Sequence, residues 1–506
     1  MSRPRTAPGA PRSAPRDARA AASWTAFGGD LHLDLGERRA AGAGVRAALE
    51  DALREAVQDG RLAPGTRLPS SRALGEDLGI ARNTVVEAYG QLTAEGWLSS
   101  RQGSGTTVAD RAAPRPAGPA VGVRAGHRPT GRHDLLAGRP DLSLFPRTAW
   151  LASARRALAV APHEAFDYGS PLGRIELRRA LADYLARVRG VRTDPDRLLV
   201  CAGFGQGLAL LAAALRERGA GRVAVETYGL PPQRETLRAA GLGLAPLPLD
   251  RAGARTDLLA ELSGEPGGER AGERVGAVLL TPAHQFPTGA ALAADRRAAA
   301  VRWAREHDGY VIEDDYDGEF RYDRQPLGAM QALAPDRVVY GGTAAKSLAP
   351  GLRLAWLALP DELVEPVARL KESADTMSPV IDQLTFAELI TSGRYDRHVR
   401  RCRLHYRRRR DQLVAALADR APRVRVTGIA AGLHAVLELP PGSLPEPELT
   451  DRARAAGLVL TGLGWYLTDR ALAPDAPPAL VVGYATPTDR AFPAALDALC
   501  ELLRTA

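Results

Sequence analysis

A run of Pro, Gly, Ala and Arg between Asp110 and about Arg132, RAAPRPAGPAVGVRAGHRPTGR, has no period that would bury one face of a helix or strand. It therefore divides the chain into two parts that must each make a core of their own. Residues 1 to 40 share the bias and read as a flexible basic arm. The expected layout is an arm over 1–40, a first domain over 41–109, a linker over 110–133 and a large domain over 134–506.

In the first domain Val45, Leu49, Leu53 and Val57 recur at helical spacing, and Gly60 ends the pattern. Ser70 or Ser71 can cap a second helix carrying Leu74 and Leu78, with Gly79 as its turn. A third helix runs from about Ala81 through Val85, Tyr89 and Leu92. Trp97-Leu98-Ser99, a Gly103-Ser104-Gly105 turn and Thr106-Thr107-Val108 then read as a β-hairpin. A helix that reads DNA must present polar side chains at its N-terminal end, and Arg82, Asn83 and Thr84 stand there. Arginine pairs with guanine and asparagine with adenine; Arg72 and the Ser104-Gly105 wing are placed for phosphate or minor-groove contact. Glu87 is expected at the groove's edge, selecting cytosine or orienting an arginine. A three-helix interaction module is the competing reading.

The large domain alternates the strand-like runs RLLVCAG, RVAVE, GAVLLTP, YVIEDDY and RVVYGGT with amphipathic helical segments, the pattern of a mostly parallel α/β sheet. From about Ser378 a long Arg-rich helix and the strands LHAVLEL and ALVVGYA predict a smaller C-terminal lobe. The run RHVRRCRLHYRRRRDQL fits a solvated helix face that buries Val399, Leu404 and Leu413. No run of about 18 apolar residues offers a membrane span, and the N-terminus has no apolar signal core, so the cytoplasm is the expected compartment. Three scattered cysteines predict neither a metal cluster nor a disulfide framework. A net charge of +8 permits nucleic-acid binding without requiring it.

Of 67 basic residues only Lys346 and Lys371 are lysines. Arginine serves on most surfaces, but its guanidinium cannot supply the amine of a Schiff base. Lys371 reads as chance survival. Lys346 follows the strand RVVYGG within TAAKSLAPGLR, where Thr343 and Arg353 are placed to hold a phosphate. The strand VIEDDYD brings Asp314, an acid for a pyridine nitrogen, and Tyr316, a hydroxyl for a ring oxygen. An acidic strand end that only caps a helix is the alternative for that run.

LPSSRALGEDLGIARNTVVEAYGQLTAEGWLSSRQGSGTTV resembles the GntR-family winged helix-turn-helix. DYGSPLGRIELRRALADYL, TPAHQFPTG, VIEDDYDGEFRYD and GGTAAKSLAPGLRLAW resemble fold-type I aminotransferases, and the combination resembles the MocR subfamily of GntR regulators. The resemblance implies an α/β protein: a winged helix-turn-helix joined to an aminotransferase-like domain with large and small lobes, dimeric, and binding pyridoxal phosphate and double-stranded DNA. It further implies Lys346 as the internal-aldimine lysine, Asp314 at the pyridine nitrogen, and Tyr316 with His284 or Gln285 at the ring oxygen. Gly203 and Phe204 would form the phosphate cup with Thr343 and Arg353, and Tyr168 would reach the partner subunit's phosphate. For the ring-stacking position the run Glu226-Thr227-Tyr228-Gly229-Leu230 offers Tyr228, shifted along, or Leu230.

Aminotransferases also place a cation on the substrate carboxylate, at a position that the resemblance matches to Thr486, and in a related regulator that senses a γ-amino acid the corresponding arginine matches Trp465. Neither carries charge, which leaves pyridoxal phosphate as the simplest effector, ahead of an amine or amino acid. The expected function is cofactor-sensing control of vitamin B6 or amino-acid and amine metabolism genes. The alternatives are an active aminotransferase with an accessory DNA-binding domain, and a repressor whose large domain only dimerises.

Overall fold

The computed structural model describes residues 35, 44–101, 105–110, 131–263, 274–322, 327–469, 472 and 476–504. Apart from Leu35, the expected arm lies outside these, as do Ser104 and most of the linker. The chain divides into two compact units, 1–127 and 128–506.

In the first unit, α1 (Val45–Gln58) buries Ala48, Leu49, Ala52, Leu53, Ala56 and Val57, the apolar stripe its spacing dictates. Ser70 is the cap of α2 (Ser71–Leu78): its side chain accepts from the Ala73 amide at 3.2 Å, and Gly79 closes the helix at φ 62. α3 spans Arg82–Ala94 and buries Val85, Ala88, Tyr89 and Leu92. β1 (Leu98–Arg101) pairs antiparallel with β2 (Gly105–Val108), setting Leu98 opposite Val108 in the same core. Leu35 is buried there too, so the segment read as a solvated arm contributes an anchor.

The second unit holds a seven-stranded sheet built from β3 (Leu198–Cys201), β4 (Arg222–Glu226), β5 (Gly243–Leu247), β6 (Val275–Leu280), β7 (Tyr310–Asp314), β8 (Val338–Thr343) and β9 (Ala355–Ala358). Its spatial order is β3-β9-β8-β7-β6-β4-β5, parallel except for β9, which runs against both neighbours. Helices cover both faces, so the strands read as continuous apolar runs. Ala355 and Leu357 of β9 enter one core, and Trp356 and Ala358 the other. α4 (Arg147–Val160), α5 (Ile175–Arg189), α6 (Phe204–Glu217), α7 (Pro231–Ala239), α8 (Ala294–Glu306), α9 (Asp361–Asp375) and α10 (Val380–Thr391) complete the large lobe.

α11 (Arg394–Arg420) leads into an antiparallel sheet of β10 (Arg425–Thr427), β11 (Ala435–Glu438), β12 (Thr461–Gly462) and β13 (Ala479–Val482). α12 (Glu446–Ala455) and α13 (Phe492–Arg504) complete this small lobe. α11 corrects the reading of its sequence twice. Leu404 is 63% exposed, while Val399 and Leu413 are buried as expected. Arg409, counted with the solvated face, is buried instead. It ion-pairs with Asp141 (3.0 Å) and Asp489 (2.9 Å) and donates to the carbonyls of Tyr484, Ala485 and Pro487. The helix period at Arg409 falls on the inner side, and this set of acceptors offsets the desolvation of its charge.

Lys371 is also no leftover on the surface: it is 0% exposed and ion-paired to Asp375 at 2.6 Å. All three cysteines are free and buried. Among the described residues no helix is long and apolar enough to cross a membrane.

Candidate functional site

The first unit presents one polar face. Ala81 gives α3 no side-chain cap, and the helix opens with Arg82 and Asn83 exposed, neither side chain engaged with another described residue. Val85 and Tyr89 anchor the following turns, and the Tyr89 hydroxyl donates to the Pro69 carbonyl (3.1 Å), so the free end is held by its own core. Thr84 is half-buried beside them. Gly105 begins β2 at φ 83, with the Arg67 guanidinium lying against it. Arg67 and Arg101, both exposed at this hairpin, went unread in the sequence. Arg72 instead pairs with Glu76 (3.0 Å) on the surface, a contact weak enough to yield to a phosphate. Glu87 faces Arg46 at 3.7 Å, orienting an arginine in place of standing alone.

In the second unit the sheet's strand ends bring distant residues together. The acidic run of β7 separates by strand alternation. Glu313 points one way and accepts from the Met330 and Gln331 amides (2.8 and 2.9 Å). Asp315, beyond the strand's end, takes both Arg189 (2.7 Å) and the Tyr340 hydroxyl (2.7 Å). Asp314 and Tyr316 point the other way, into a cavity of about 30 Å³ lined also by Glu226, Tyr228, Leu230, Gln233, Thr281 and Phe286. None of the four caps a helix at the surface.

Asp314 is 4% exposed and receives a single side-chain donor, Gln233 Nε2 at 2.6 Å. Burial pushes its carboxyl up to about 7, against the pull of Gln233 and Lys346. Among the described residues this acid makes no ion pair within 4.0 Å, although Lys346 lies within electrostatic reach. Lys346 Nζ donates to the Gly138 carbonyl at 2.6 Å, and burial holds its amine below the ordinary lysine range, with Asp314 and Asp317 opposing and Arg139 assisting. A lysine so placed keeps a share of neutral, nucleophilic amine.

The Tyr316 hydroxyl lies 3.0 Å from His284 Nδ1, which also meets Asp317 Oδ2 at 2.8 Å. Gly432 leaves room for this pair; a Cβ there would stand 2.3 Å from the His284 ring. Gln285 does not share the role. Its amide donates to Glu226, the Tyr228 carbonyl and the Phe286 carbonyl, and its oxygen accepts from Thr288, so every polar atom is spent on the surrounding turn. Tyr228 and Leu230 both pack against the cluster of Phe286 and Tyr316, leaving the stacking position shared between them.

At the far side, Gly203 adopts φ 91 and ψ 157 as the residue before α6, which begins at Phe204 with no side-chain cap. The first amides of that helix therefore stay available to an anion. Arg353 Nη2 donates to the Ala202 carbonyl (2.5 Å) directly over Gly203. The Thr343 hydroxyl sits nearby at the end of β8 but is engaged with the Ala345 amide (3.1 Å) and the Leu354 carbonyl (3.3 Å). Tyr168 is 85% exposed. The Thr486 hydroxyl donates to the Leu136 carbonyl (2.8 Å), and Trp465 packs edge-on against Tyr466.

Three residues escaped the sequence reading. Asp317 stood in the quoted VIEDDYD run, three positions after Asp314, and its acid character could have marked it. Gln233 and Arg139 carry no local signal. Arg139 follows Gly138 and brings a guanidinium to Lys346 that no other described residue binds.

The family model "Bacterial regulatory proteins, gntR family" matches residues 46–108, and "Aminotransferase class I and II" matches 134–464. The HTH-type pyridoxine biosynthesis transcriptional regulator PdxR of Corynebacterium glutamicum is 34% identical over 83% of this chain and 88% of its own length. The probable rhizopine catabolism regulatory protein MocR of Rhizobium meliloti is 32% identical over 72% of this chain and 76% of its own. The chain belongs to the MocR-type GntR regulators. It is a transcription regulator in which a winged helix-turn-helix is fused to a fold-type I aminotransferase-like domain. Among solved structures, an archaeal alanine:glyoxylate aminotransferase matches this regulator with a TM-score of 0.65 at 25% identity, over 75% of this chain and 91% of its own.

Proposed function

We propose that this MocR-type regulator binds pyridoxal phosphate at Lys346 and reads the cofactor's presence out as a change in operator binding. The observation that carries the reading is a half-buried Lys346, its amine on the Gly138 carbonyl, within electrostatic reach of Asp314, a buried acid whose side-chain donor is the neutral Gln233. The donor set supports that cofactor at four points. Lys346 offers the amine, Asp314 the acid for a ring nitrogen, Tyr316 and His284 polar atoms for a ring oxygen, and Gly203, Phe204 and Arg353 a phosphate cup. When bound, pyridoxal phosphate supplies an aldehyde that condenses with an amine and a ring that withdraws electrons from it.

The chain's own residues do the rest. Gln233 orients the Asp314 carboxyl, and Asp317 fixes the His284 ring so that its contact with Tyr316 holds. Gly138 positions the Lys346 amine. Gly203 and Arg353 keep the α6 amides open at the opposite end. Filling such a cup biases whichever arrangement it fits better, and that differential affinity is the only source of a switch.

The layout of arm, winged helix over 41–109, linker and effector domain over 134–506 belongs to the same proposal, as does a homodimer. The homodimer is supported by the exposed apolar side chains Leu151 and Val160 on α4 and by Phe166, two residues before the exposed Tyr168. Arg82, Asn83 and Thr84 would read base edges, with Arg72, Ser104 and Gly105 at the backbone. Pyridoxine synthesis genes are the proposed first targets, a reading supported by the name of the Corynebacterium relative, a pyridoxine biosynthesis regulator.

The test is operator retardation on the protein's own upstream DNA, wild type against Lys346→Ala, each with and without pyridoxal phosphate. The cofactor changes affinity or footprint for wild type alone. An equal response in both proteins, or a wild type that stays colourless with the aldehyde, overturns the reading.

A further inference from the structure

Sixty-five of the 67 basic residues are arginine, yet a second lysine sits where no solvent reaches it. Lys371 Nζ donates to Asp375 Oδ1 at 2.6 Å, one turn along α9. The other carboxylate oxygen, Oδ2, accepts from Gln206 Nε2 at 2.7 Å, and Gln206 Oε1 accepts from the Ala202 amide at 2.7 Å. Ala202 is the residue before Gly203, and its carbonyl is the acceptor of Arg353. The peptide at the rim of the phosphate cup is thus held at both ends, its carbonyl by Arg353 and its N–H by a chain that starts at Lys371.

We infer that Lys371, Asp375 and Gln206 form a brace that positions the phosphate-binding turn, with Lys371 acting as a positioning residue through the other two. A helical i to i+4 ion pair on a surface would need no such account. Here the ammonium is fully enclosed beside Cys201, and the carboxylate it fixes is spent on a glutamine whose other end is the turn itself. The enclosed site also accounts for lysine against the chain's general preference. A guanidinium on a comparable stem is larger, planar and carries five donors, and an enclosure with one carboxylate leaves most of them unpaired. Lys346 thus stands by Gly138, and Lys371 stands behind the turn at Ala202. The inference rests on the pyridoxal-phosphate reading of the site.

The experiment compares pyridoxal phosphate with pyridoxal, which lacks the phosphate, on the full chain. Visible absorbance gives the affinity of each for wild type, Gln206→Leu and Lys371→Met, with the melting temperature of each protein recorded alongside. Gln206 is part-exposed, so its variant folds even if loss of the buried ammonium prevents Lys371→Met from doing so. Gln206→Leu is expected to weaken pyridoxal phosphate about tenfold, the effect of one hydrogen bond, while pyridoxal affinity and the absorbance maximum stay as in wild type. An equal loss for both aldehydes marks general distortion and overturns the brace; so does an unchanged preference for the phosphorylated form. A wild type that binds neither aldehyde removes the reading underneath, and the brace falls with it.

Discussion

Replacing Gly203 with alanine is the sharpest test of the phosphate cup, because the structure states what the extra carbon would meet. At φ 91 and ψ 157 the backbone lies in a region that only glycine occupies comfortably, and a side chain there costs about 1–3 kcal/mol. The new Cβ would stand 2.5 Å from Arg353 Nη2 and 2.7 Å from its Cζ, closer than such atoms approach. Arg353 is exposed and flexible, so it swings away and gives up its bond to Ala202, about 0.5–1.5 kcal/mol more. The second loss falls on the ligand as well. A guanidinium contact to phosphate contributes about 1.5–3 kcal/mol, so pyridoxal phosphate affinity drops by at least about tenfold. Urea denaturation of the ligand-free protein reads the first effect, and absorbance titration reads the second. A Gly203→Ala protein that binds pyridoxal phosphate within about twofold of wild type would refute the placement of the cup.

Asp314→Asn should change the pH dependence of stability in a definite direction. The folded carboxyl titrates near 7 against an ordinary 3.8, so between those values the folded state holds a proton that the unfolded chain has lost. Wild-type stability attributable to Asp314 is therefore full below about 4 and is lost as pH rises to about 7. Urea midpoints at pH 5 and pH 7.5, ligand-free, should show the variant gaining on wild type at the higher pH; a constant difference contradicts the burial argument. Arg139→Gln removes a cation that depresses Lys346, so its amine shifts toward higher pKa, and the pH profile of pyridoxal phosphate condensation should move up with it. A profile that stays put or moves down disproves that coupling. Arg82→Ala should cost about 1–3 kcal/mol on the operator and less on unrelated duplex, as loss of a base contact does. Arg67→Ala should weaken all duplexes alike and lower the slope of log affinity against log salt by about one. Equal losses in both sequence classes for Arg82, or an unchanged slope for Arg67, would remove those residues from the DNA face.

What the residue order disclosed was whatever is local. The apolar stripe of α1 and the stretch from the Ser70 cap to the αL Gly79 each lie within about a dozen residues, and the strand runs of the sheet are contiguous. Lys346 was legible for a different reason, since arginine had replaced lysine almost everywhere else. β9 escaped because a continuous apolar run carries no direction, and only the fold reverses it. Gln233, Arg139 and the Gln206–Asp375 link of the brace escaped because their partners lie about 80 to 210 positions away. His284 and Gln285 stayed alternatives in the sequence because they adjoin, and their side chains in this turn meet different partners. Leu404, expected buried, and Arg409, expected on the solvated face, show the same limit on α11, where the angular position of each residue reversed both.

The run from Glu313 to Asp317 has an outcome for genetics. Two of its acids secure the protein's architecture, and two serve the chamber beside Lys346, yet they alternate within five residues. A reporter screen would score loss of any of the four as the same loss of regulation. Only protein recovered from cells would separate them, abundant when Asp314 or Asp317 is replaced and scarce when Glu313 or Asp315 is. Deleting a single residue here would exchange the two sets, so insertions and deletions should be tolerated far less than substitutions.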